Sequence, residues 1–235
     1  MPVDPNFLPM RLTLRKRIRR TLFSILLDKL IIQNSKGKTI ADSIRFVLDQ
    51  ASVTPEIPFF HSREKLWAVV AGNQLRQEWI GIEFGVASGD ATKFIARLPE
   101  FQSCIAWHGF DTFFGLPTPW GDLPQGAFST GGVPPQINDE RFVWHVGDIG
   151  DTIAELGNFD IAHKRKFVIF DFDLYAPTRI AWVNLIKSLQ PGDVIYFDEA
   201  YEADESRIIS EIISSSGITL KPIGFTIMAS CYLVG

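Results

Sequence analysis

Residues 167–175 read FVIFDFDLY, a short apolar run that ends abruptly in acidic residues. A second run of the same kind, VIYFDEAY, occupies residues 194–201. Short apolar runs rich in β-branched and aromatic residues are typical of central strands buried on both faces of a parallel sheet. Because ligands of open α/β sheets bind at the carboxyl ends of the strands, the acids after each run are predicted to face a crevice.

Similar apolar runs alternate with helical stretches along the chain. This alternation predicts a doubly wound, mostly parallel seven-stranded sheet with helices on both faces. The last two runs are separated by too few residues for a parallel crossover, so they are predicted to pair antiparallel. The predicted strands are Trp79–Phe84, Cys104–Phe110, Phe142–Val146, Phe167–Phe170, Val194–Phe197, Leu220–Phe225 and Ala229–Val234. The predicted helices between them are Thr92–Leu98, Thr152–Leu156, Thr178–Leu189 and Glu205–Ser215.

The first 75 residues differ from the rest and are predicted to form a helical cap that belongs to the same domain. Apolar positions recur at helical spacing over residues 12–32, and Ser43–Gln50 and Glu64–Ala71 are predicted to be further short helices. Residues 76–235 would then form the core. A chain of 235 residues is the usual size for one α/β domain.

Charge and cysteine content restrict the class of protein. The net charge of −4 argues against a general nucleic-acid binder. Six basic residues crowd positions 11–20, which allows contact with an anionic membrane surface, although such runs are more often a solvated face or an oligomer contact. Two cysteines without metal-type spacing form no disulfide framework, so a reduced, cytoplasmic protein is predicted. The apolar stretch Thr21–Leu27 is too short to span a bilayer.

A long insert, Gly115–Glu140, separates the second and third predicted strands and is dense in proline and glycine. Loops of this length inside a compact domain are usually functional or disordered. Its aromatic residues Trp120 and Phe128 favour a lid that folds over a ligand, with a mobile surface loop as the alternative.

Acidic residues occur at the ends of the first three predicted strands. Glu83 precedes a glycine turn, Gly85–Gly89, and its charge would repel a pyrophosphate but suit an ammonium-bearing ligand. Asp111 is placed to accept hydrogen bonds from ribose hydroxyls. Asp148 would accept from an adenine amino group, or would cap the helix that follows it. Together these acids predict a pocket for a nucleoside without phosphates.

Two pairs of acids follow the fourth and fifth strands: Asp171 with Asp173, and Asp198 with Glu199. Adjacent strands would bring the four carboxylates together, and unpaired like charges at short range are costly. A divalent cation relieves that repulsion, and an all-oxygen ligand set suits Mg²⁺, Mn²⁺ or Ca²⁺. Exposure to water or a Lys or Arg partner is the alternative.

These motifs resemble those of the class I S-adenosylmethionine-dependent methyltransferases, and within them the macrocin O-methyltransferase family, which includes metal-dependent sugar methyltransferases. The resemblance extends from about Glu78 to Tyr201. Its specific segments are FDTFFGLP at residues 110–117 and DFDLY at residues 171–175, whereas the glycine turn is generic. The family usually has Asp where this chain has Glu199.

The resemblance implies a Rossmann-like methyltransferase fold and a role for each motif. Asp171, Asp198 and Glu199 would bind a metal, with Mg²⁺ expected, and Asp173 would be the general base. The expected activity is methyl transfer from S-adenosylmethionine to a hydroxyl of a small molecule, a sugar or a glycosylated metabolite. Residues at the four strand ends would bind the cofactor: Glu83, Gly85, Ala87, Ser88, Gly89, Asp111, Thr112, Phe113, Asp148, Ile149 and Asp171.

Two other classes of function stay open at this stage. A nicotinamide-dependent oxidoreductase shares the strand-and-helix alternation, but the glycine turn lacks the third glycine of a dinucleotide fingerprint. A methyltransferase fold that only binds partners is the other class, and the complete set of acids argues against it. No nucleic-acid partner is expected.

Overall fold

The computed structural model describes residues 57–200, 203–215, 217–226 and 228–235. The predicted helices within residues 12–32 and Ser43–Gln50 lie outside the described residues. The division into a cap of residues 1–75 and a core of residues 76–235 therefore stays a prediction.

Seven strands form one sheet in the order β3-β2-β1-β4-β5-β7-β6. Strands β1 to β5 pair in parallel, and β7 pairs antiparallel with both β5 and β6, as the short break between the last two runs predicted. The doubly wound seven-stranded sheet is thus confirmed. Strand bounds are β1 Trp79–Phe84, β2 Cys104–Asp111, β3 Phe142–Val146, β4 Arg165–Phe170, β5 Val194–Phe197, β6 Leu220–Phe225 and β7 Ser230–Val234.

Helices cover both faces of the sheet, so β1, β4 and β5 are buried along their length except at the first residue of β4. Helices α1 and α2 pack on one face, and α3, α4 and α5 on the other. Helix bounds are α1 Arg63–Gln74, α2 Asp90–Ile95, α3 Ile149–Thr152, α4 Tyr175–Leu185 and α5 Ala203–Ser215. Short 3₁₀ turns follow at Pro99–Ser103, Ile153–Asn158 and Ile186–Ser188. None of the described helices has the length and apolar run needed to cross a bilayer.

A row of four phenylalanines crosses the middle of the sheet and sets the register of its functional edge. Phe84 of β1 is paired with Phe110 of β2 and Phe170 of β4, and Phe170 is paired with Phe197 of β5. Neighbouring ring centroids in the row are 4.9–5.2 Å apart. Because the strands are in register at this row, the residues that follow each phenylalanine emerge side by side at one edge.

The opposite edge of the sheet holds a buried ion pair. Lys166 Nζ lies 3.2 Å from Asp193 Oδ2, and both side chains are 0% exposed. Asp193 also accepts hydrogen bonds from the backbone amides of Lys166 and Gln190, which ties the start of β4 to the turn before β5. Since this pair lies at the amino ends of the strands, it is part of the scaffold and is remote from the edge described next.

Candidate functional site

A cavity of about 710 Å³ opens at the carboxyl ends of the parallel strands. Its walls come from the ends of β1 to β5, from α1 and from the 115–140 insert. Strand order reverses between β1 and β4, and this switch point is where α/β sheets usually bind ligands. The cavity therefore lies at the carboxyl ends of the strands, where the sequence predicted a crevice.

The glycine turn after β1 packs tightly against the end of β4. Gly85 has a φ of +89°, and a Cβ atom there would lie 1.9 Å from the carbonyl oxygen of Asp171. In return, the Asp171 amide donates to the carbonyl of Phe84 over 2.8 Å. Only glycine permits this approach, so the turn and the first acid of the DFD motif form one unit.

Asp111 fastens this turn to the loop after β2. Its Oδ2 accepts hydrogen bonds from the amides of Val86 and Ala87, both at 2.8 Å. Its Oδ1 accepts from the Phe113 amide at 2.7 Å. A carboxylate offers about four acceptor sites, so Oδ1 retains capacity for a ligand hydroxyl on the cavity wall. The ribose contact predicted for Asp111 stays a prediction, and the loop-fastening role was not foreseen.

Asp148 caps helix α3, which is one of the two roles that its position allowed. Its Oδ1 accepts from the Gly150 amide over 2.8 Å. Asp148 and Ile149 both line the cavity. The cap accounts for one carboxylate oxygen, so an adenine contact through the other oxygen stays a prediction.

Glu83 is buried in the floor of the cavity. Its Oε2 accepts hydrogen bonds from the hydroxyl of Thr92 and from Trp107 Nε1, the latter at 3.0 Å. Burial raises the pKa of the Glu83 carboxyl to about 8, although the bonds from Thr92 and Trp107 lower it. A cationic ligand would favour ionisation of this group, which fits the ammonium-bearing ligand inferred from the sequence.

Most of the predicted cofactor residues line the cavity, and two do not. Gly89 is the N-cap of α2 with a φ of +77°, and Phe113 is fully buried and packs edge-on against Trp144. Both shape the loops that form the walls. The predicted residues on the walls are Glu83, Gly85, Ala87, Ser88, Asp111, Thr112, Asp148, Ile149 and Asp171.

Backbone strain is concentrated around this cavity. Among the described residues, the non-glycine residues with positive φ are Ala87 (47°), Phe113 (60°), Phe128 (66°) and Asp173 (62°). Each is in the glycine turn, the β2 loop, the insert or the DFD motif. Such conformations cost on the order of 1–3 kcal/mol each and cluster at functional sites.

Three carboxylates converge on the wall of the cavity, after β4 and β5. Asp171, Asp173 and Glu199 each offer one oxygen, and these oxygens all lie within 4.8 Å of one another. Burial, followed by the charges of Asp198 and Asp173, raises the pKa of Asp171 well above its usual range. Burial and the charge of Asp198 likewise raise the pKa of Glu199. The group can chelate a cation, as the sequence predicted for two of its members.

Asp198, the other predicted ligand, lies outside that group. Its Oδ2 is 2.8 Å from Nη1 of Arg63, and its Oδ1 accepts a hydrogen bond from the hydroxyl of Tyr196. Arg63 is the first residue of α1 and lines the cavity. The sequence left open a Lys or Arg partner for the four acids. Arg63 is such a partner for one of them, Asp198.

Glu205 of α5 is a further acid that sequence reasoning missed. It is completely buried, and its Oε2 accepts a hydrogen bond from the Glu199 amide over 3.1 Å. Glu205 Oε1 and Glu199 Oε2 are both buried without a hydrogen-bond partner. Buried carboxylate oxygens are normally satisfied, so these two atoms fit a site whose counter-ion is a metal.

The insert closes one side of the cavity. Its base is fixed by hydrogen bonds from Leu116 N to Ala127 O and from Gly126 N to Leu116 O, both at 2.9 Å. Trp120 and Phe128 line the cavity, and Phe128 is 53% exposed. This position is that of a lid, but closure on a ligand stays a prediction.

The two histidines inside predicted strands are buried, and neither lines the cavity. His108 Nδ1 lies 3.1 Å from His145 Nε2, and His145 Nδ1 lies 2.6 Å from Glu155 Oε2. Burial, and then the neighbouring His145, lowers the pKa of His108 to about 4. The pair belongs to the buried part of the fold and not to the cavity wall.

Comparison with known proteins gives similarity at the level of the fold. No protein-family model and no curated protein matches the chain. Among solved structures, CalS11, described as a calicheamicin methyltransferase, is 18% identical over 99% of this chain and 98% of its own, with a TM-score of 0.56. NovP, described as an O-methyltransferase, is 18% identical over 73% of this chain and 78% of its own, with a TM-score of 0.54. This chain thus has the Rossmann-like fold of the class I S-adenosylmethionine-dependent methyltransferases.

Proposed function

We propose that this protein is an S-adenosylmethionine-dependent O-methyltransferase that uses a divalent cation to methylate a hydroxyl group of a small molecule. One observation carries the proposal. A single cavity has acids at the ends of β1, β2 and β3 along one wall and a chelating group of three carboxylates beside them. The first set suits a nucleoside without phosphates, and the second suits a cation next to the reacting centre.

The cofactor would lie across the ends of β1 to β3. Glu83 would face the ammonium of the methionine part, Asp111 the ribose hydroxyls, and Asp148 the adenine amino group. Glu83 disfavours a pyrophosphate beside it, because it adds no positive charge to the cavity floor and its Oε2 already accepts from Thr92 and Trp107. The same argument disfavours a nicotinamide dinucleotide.

The cation would be held by Asp171, Asp173 and Glu199, with Glu205 behind Glu199. Oxygen ligands of this kind suit Mg²⁺ or Mn²⁺, and the cation when bound supplies Lewis-acid chemistry toward an oxygen. The acidic residues bring the acceptor hydroxyl next to the sulfonium methyl group and take up the proton that the hydroxyl loses. Asp173 is the proposed base, through the carboxylate oxygen that would not bind the cation. A C–O bond forms as the C–S bond breaks, and the sulfur leaves as a neutral thioether.

The acceptor would enter between the carboxylate group and the insert. Phe114, Trp120 and Phe128 give that side an apolar, aromatic wall suited to the flat face of a sugar ring or an attached aglycone. The resemblance to macrocin O-methyltransferases, carried by the FDTFFGLP and DFDLY segments, makes a sugar or glycosylated metabolite the proposed acceptor class. Closure of the insert would exclude water from the methyl transfer.

The proposal is tested first by ligand binding. Thermal shift with S-adenosylhomocysteine should raise the melting temperature, NAD should not, and EDTA should lower it relative to Mg²⁺. A screen with labelled S-adenosylmethionine over sugar and catechol hydroxyls, with Mg²⁺ or EDTA, then tests the reaction. Stabilisation by NAD in place of S-adenosylhomocysteine would overturn the cofactor assignment, and full transfer in EDTA would overturn the metal alone.

A further inference from the structure

Arg63 connects the first described helix to the acids of the cavity. Its guanidinium is 2.8 Å from Asp198 Oδ2 and lies over the ring of Trp67, 5.3 Å from the ring centroid. Trp67 in turn packs edge-on against Tyr196 at 5.4 Å, and the hydroxyl of Tyr196 donates to the other oxygen of Asp198. The four residues form a closed ring of contacts.

Two members of this ring are buried, and the start of the helix that carries Arg63 is anchored by hydrogen bonds. Trp67 and Tyr196 are 1% and 0% exposed, and α1 begins at a side-chain cap provided by Ser62. The segment before α1 is hydrogen-bonded to the end of β6, from Phe60 N to Phe225 O at 2.8 Å. The backbone around Arg63 is therefore anchored, while its side chain, 37% exposed, is positioned by its contacts with Asp198 and Trp67.

Both oxygens of Asp198 are thus engaged, while the oxygens of Asp171, Asp173 and Glu199 gather within 4.8 Å of one another. We propose that Arg63 is a positioning residue that keeps Asp198 out of the cation's coordination sphere, so that three carboxylates bind the cation and positions stay open for the acceptor. The inference rests on the proposed cation site and deepens it.

The physical basis is competition between two cations for one carboxylate. An Arg–carboxylate pair with a second hydrogen bond to the acid satisfies the charge of Asp198 locally. A free Asp198 would join the ligand group, because Mg²⁺ and Mn²⁺ take up to six oxygen ligands. Each added protein ligand tightens binding and removes a position at which the acceptor hydroxyl can be activated.

The experiment measures Mn²⁺ affinity by calorimetry, together with the number of exchangeable waters from water-proton relaxation. Arg63→Met keeps the aliphatic stem over Trp67 and removes the charge. It should bind Mn²⁺ on the order of tenfold or more tightly, since a carboxylate attracts a divalent ion strongly even at an effective dielectric constant of about 20. Bound Mn²⁺ should also lose an exchangeable water. Arg63→Lys should stay close to the wild type.

A double variant separates positioning from ligation. Arg63→Met with Asp198→Asn removes the pair as a neutral unit, so Mn²⁺ affinity should return to about that of the wild type. Lys65→Met is the matched control: it lies in the same helix, is exposed, and should change neither readout. Circular dichroism and thermal melts verify that each variant is folded.

Two results would overturn the inference and leave the proposed function intact. One is an unchanged or weaker Mn²⁺ affinity in folded Arg63→Met. The other is a double variant that binds Mn²⁺ far more weakly than the wild type, which would make Asp198 a ligand. If the wild type binds S-adenosylhomocysteine but no divalent cation, the inference and the proposed cation site fail together.

Discussion

Trp107 Nε1 donates a hydrogen bond to Glu83 Oε2 over 3.0 Å, from the middle of β2 to the end of β1. With the hydroxyl of Thr92, it orients a carboxyl group that burial has moved to a pKa of about 8. Near neutral pH this group is mostly protonated until a cation faces it. Ligand binding at the cavity floor is therefore linked to a proton.

This linkage predicts a pH-dependent affinity. The Glu83 pKa is near 4.5 in the unfolded chain and about 8 in the folded one, so between these values the folded protein holds the extra proton. A ligand ammonium requires that proton to leave. The affinity for S-adenosylhomocysteine should rise from about pH 6 to pH 8, by up to about tenfold per pH unit. Calorimetry in buffers of different ionisation enthalpy measures the released proton.

Glu83→Gln should bind S-adenosylhomocysteine more weakly and with a flat pH profile. Thr92→Val, which removes one donor to the carboxylate, should move the rise to higher pH. The linkage is wrong if the wild type and Glu83→Gln show the same profile.

Asp111→Asn is expected to weaken both the fold and the binding of S-adenosylhomocysteine that we propose for the cavity. The carboxylate accepts from three backbone amides in two loops, and an amide side chain can offer only one acceptor oxygen. We expect a loss of about 1–3 kcal/mol in the free energy of unfolding, and weaker S-adenosylhomocysteine binding. Asp160→Asn, at an exposed position, is the control. Chemical denaturation and calorimetry give the two numbers, and equal stability of both variants would contradict the loop-fastening role.

Glu205→Gln should weaken Mn²⁺ binding without unfolding the protein. Burial, and then the charges of Asp171 and Asp198, raise the pKa of Glu205 well above its usual range, so its charge would form only beside a bound cation. The substitution keeps the size of the side chain and an acceptor for the Glu199 amide, but it removes the group that would ionise there. Glu78→Gln removes the same charge at an exposed position and should leave Mn²⁺ affinity unchanged. A Glu205→Gln protein that binds Mn²⁺ like the wild type would show that Glu205 has no part in the cation site.

The insert should gain protection from hydrogen exchange when S-adenosylhomocysteine binds. Peptides within residues 115–140 carry Trp120 and Phe128 on the cavity wall, and closure over a ligand would slow exchange at their amides. Peptides from β6 and β7, at the far edge of the sheet, provide the reference. Equal exchange of the insert with and without ligand would contradict the prediction that the insert closes as a lid.

Asp193→Ala should destabilise the protein by about 3–5 kcal/mol, because it removes the counter-charge of the buried Lys166 ammonium and leaves it only the Lys164 carbonyl as an acceptor. Asp193→Ala with Lys166→Met should recover part of that loss. Glu78→Ala, which breaks the exposed pair with Lys164, should have little effect. Urea denaturation compares the three, and a small effect in Asp193→Ala would mean that water or local rearrangement reaches Lys166.

The strands and the acids that follow them were predictable for a local reason. Strands β1, β2, β4 and β5 each have a phenylalanine at the carboxyl end or one residue before it, and pairing of those phenylalanines aligns the next residues at one edge. Gly85, Asp111, Asp171 and Asp198 are those next residues. Burial and register are both present in the pattern, so the carboxyl edge of the sheet could be located without a structure.

The contacts that each acid makes were not predictable in the same way. Arg63 contacts Asp198 across 135 positions of sequence, and no periodicity relates the two. Glu205 lies in the first turn of α5 directly after another acid, Asp204. Only the fold shows that the Glu205 side chain is buried. Caps such as Asp148 are also ambiguous, since the same residue type serves a helix end and a ligand.

The strained backbone at Ala87 has a consequence for attempts to make this protein more heat-resistant. Ala87 has little side chain to lose, and glycine adopts its φ of 47° without penalty, so Ala87→Gly should gain roughly 1 kcal/mol. Selection for thermostability alone would therefore favour a substitution in a turn that lines the cavity. Directed evolution for heat resistance would then alter the cavity wall in an early round. Thermal stability and catalytic turnover should therefore be screened together from the first round.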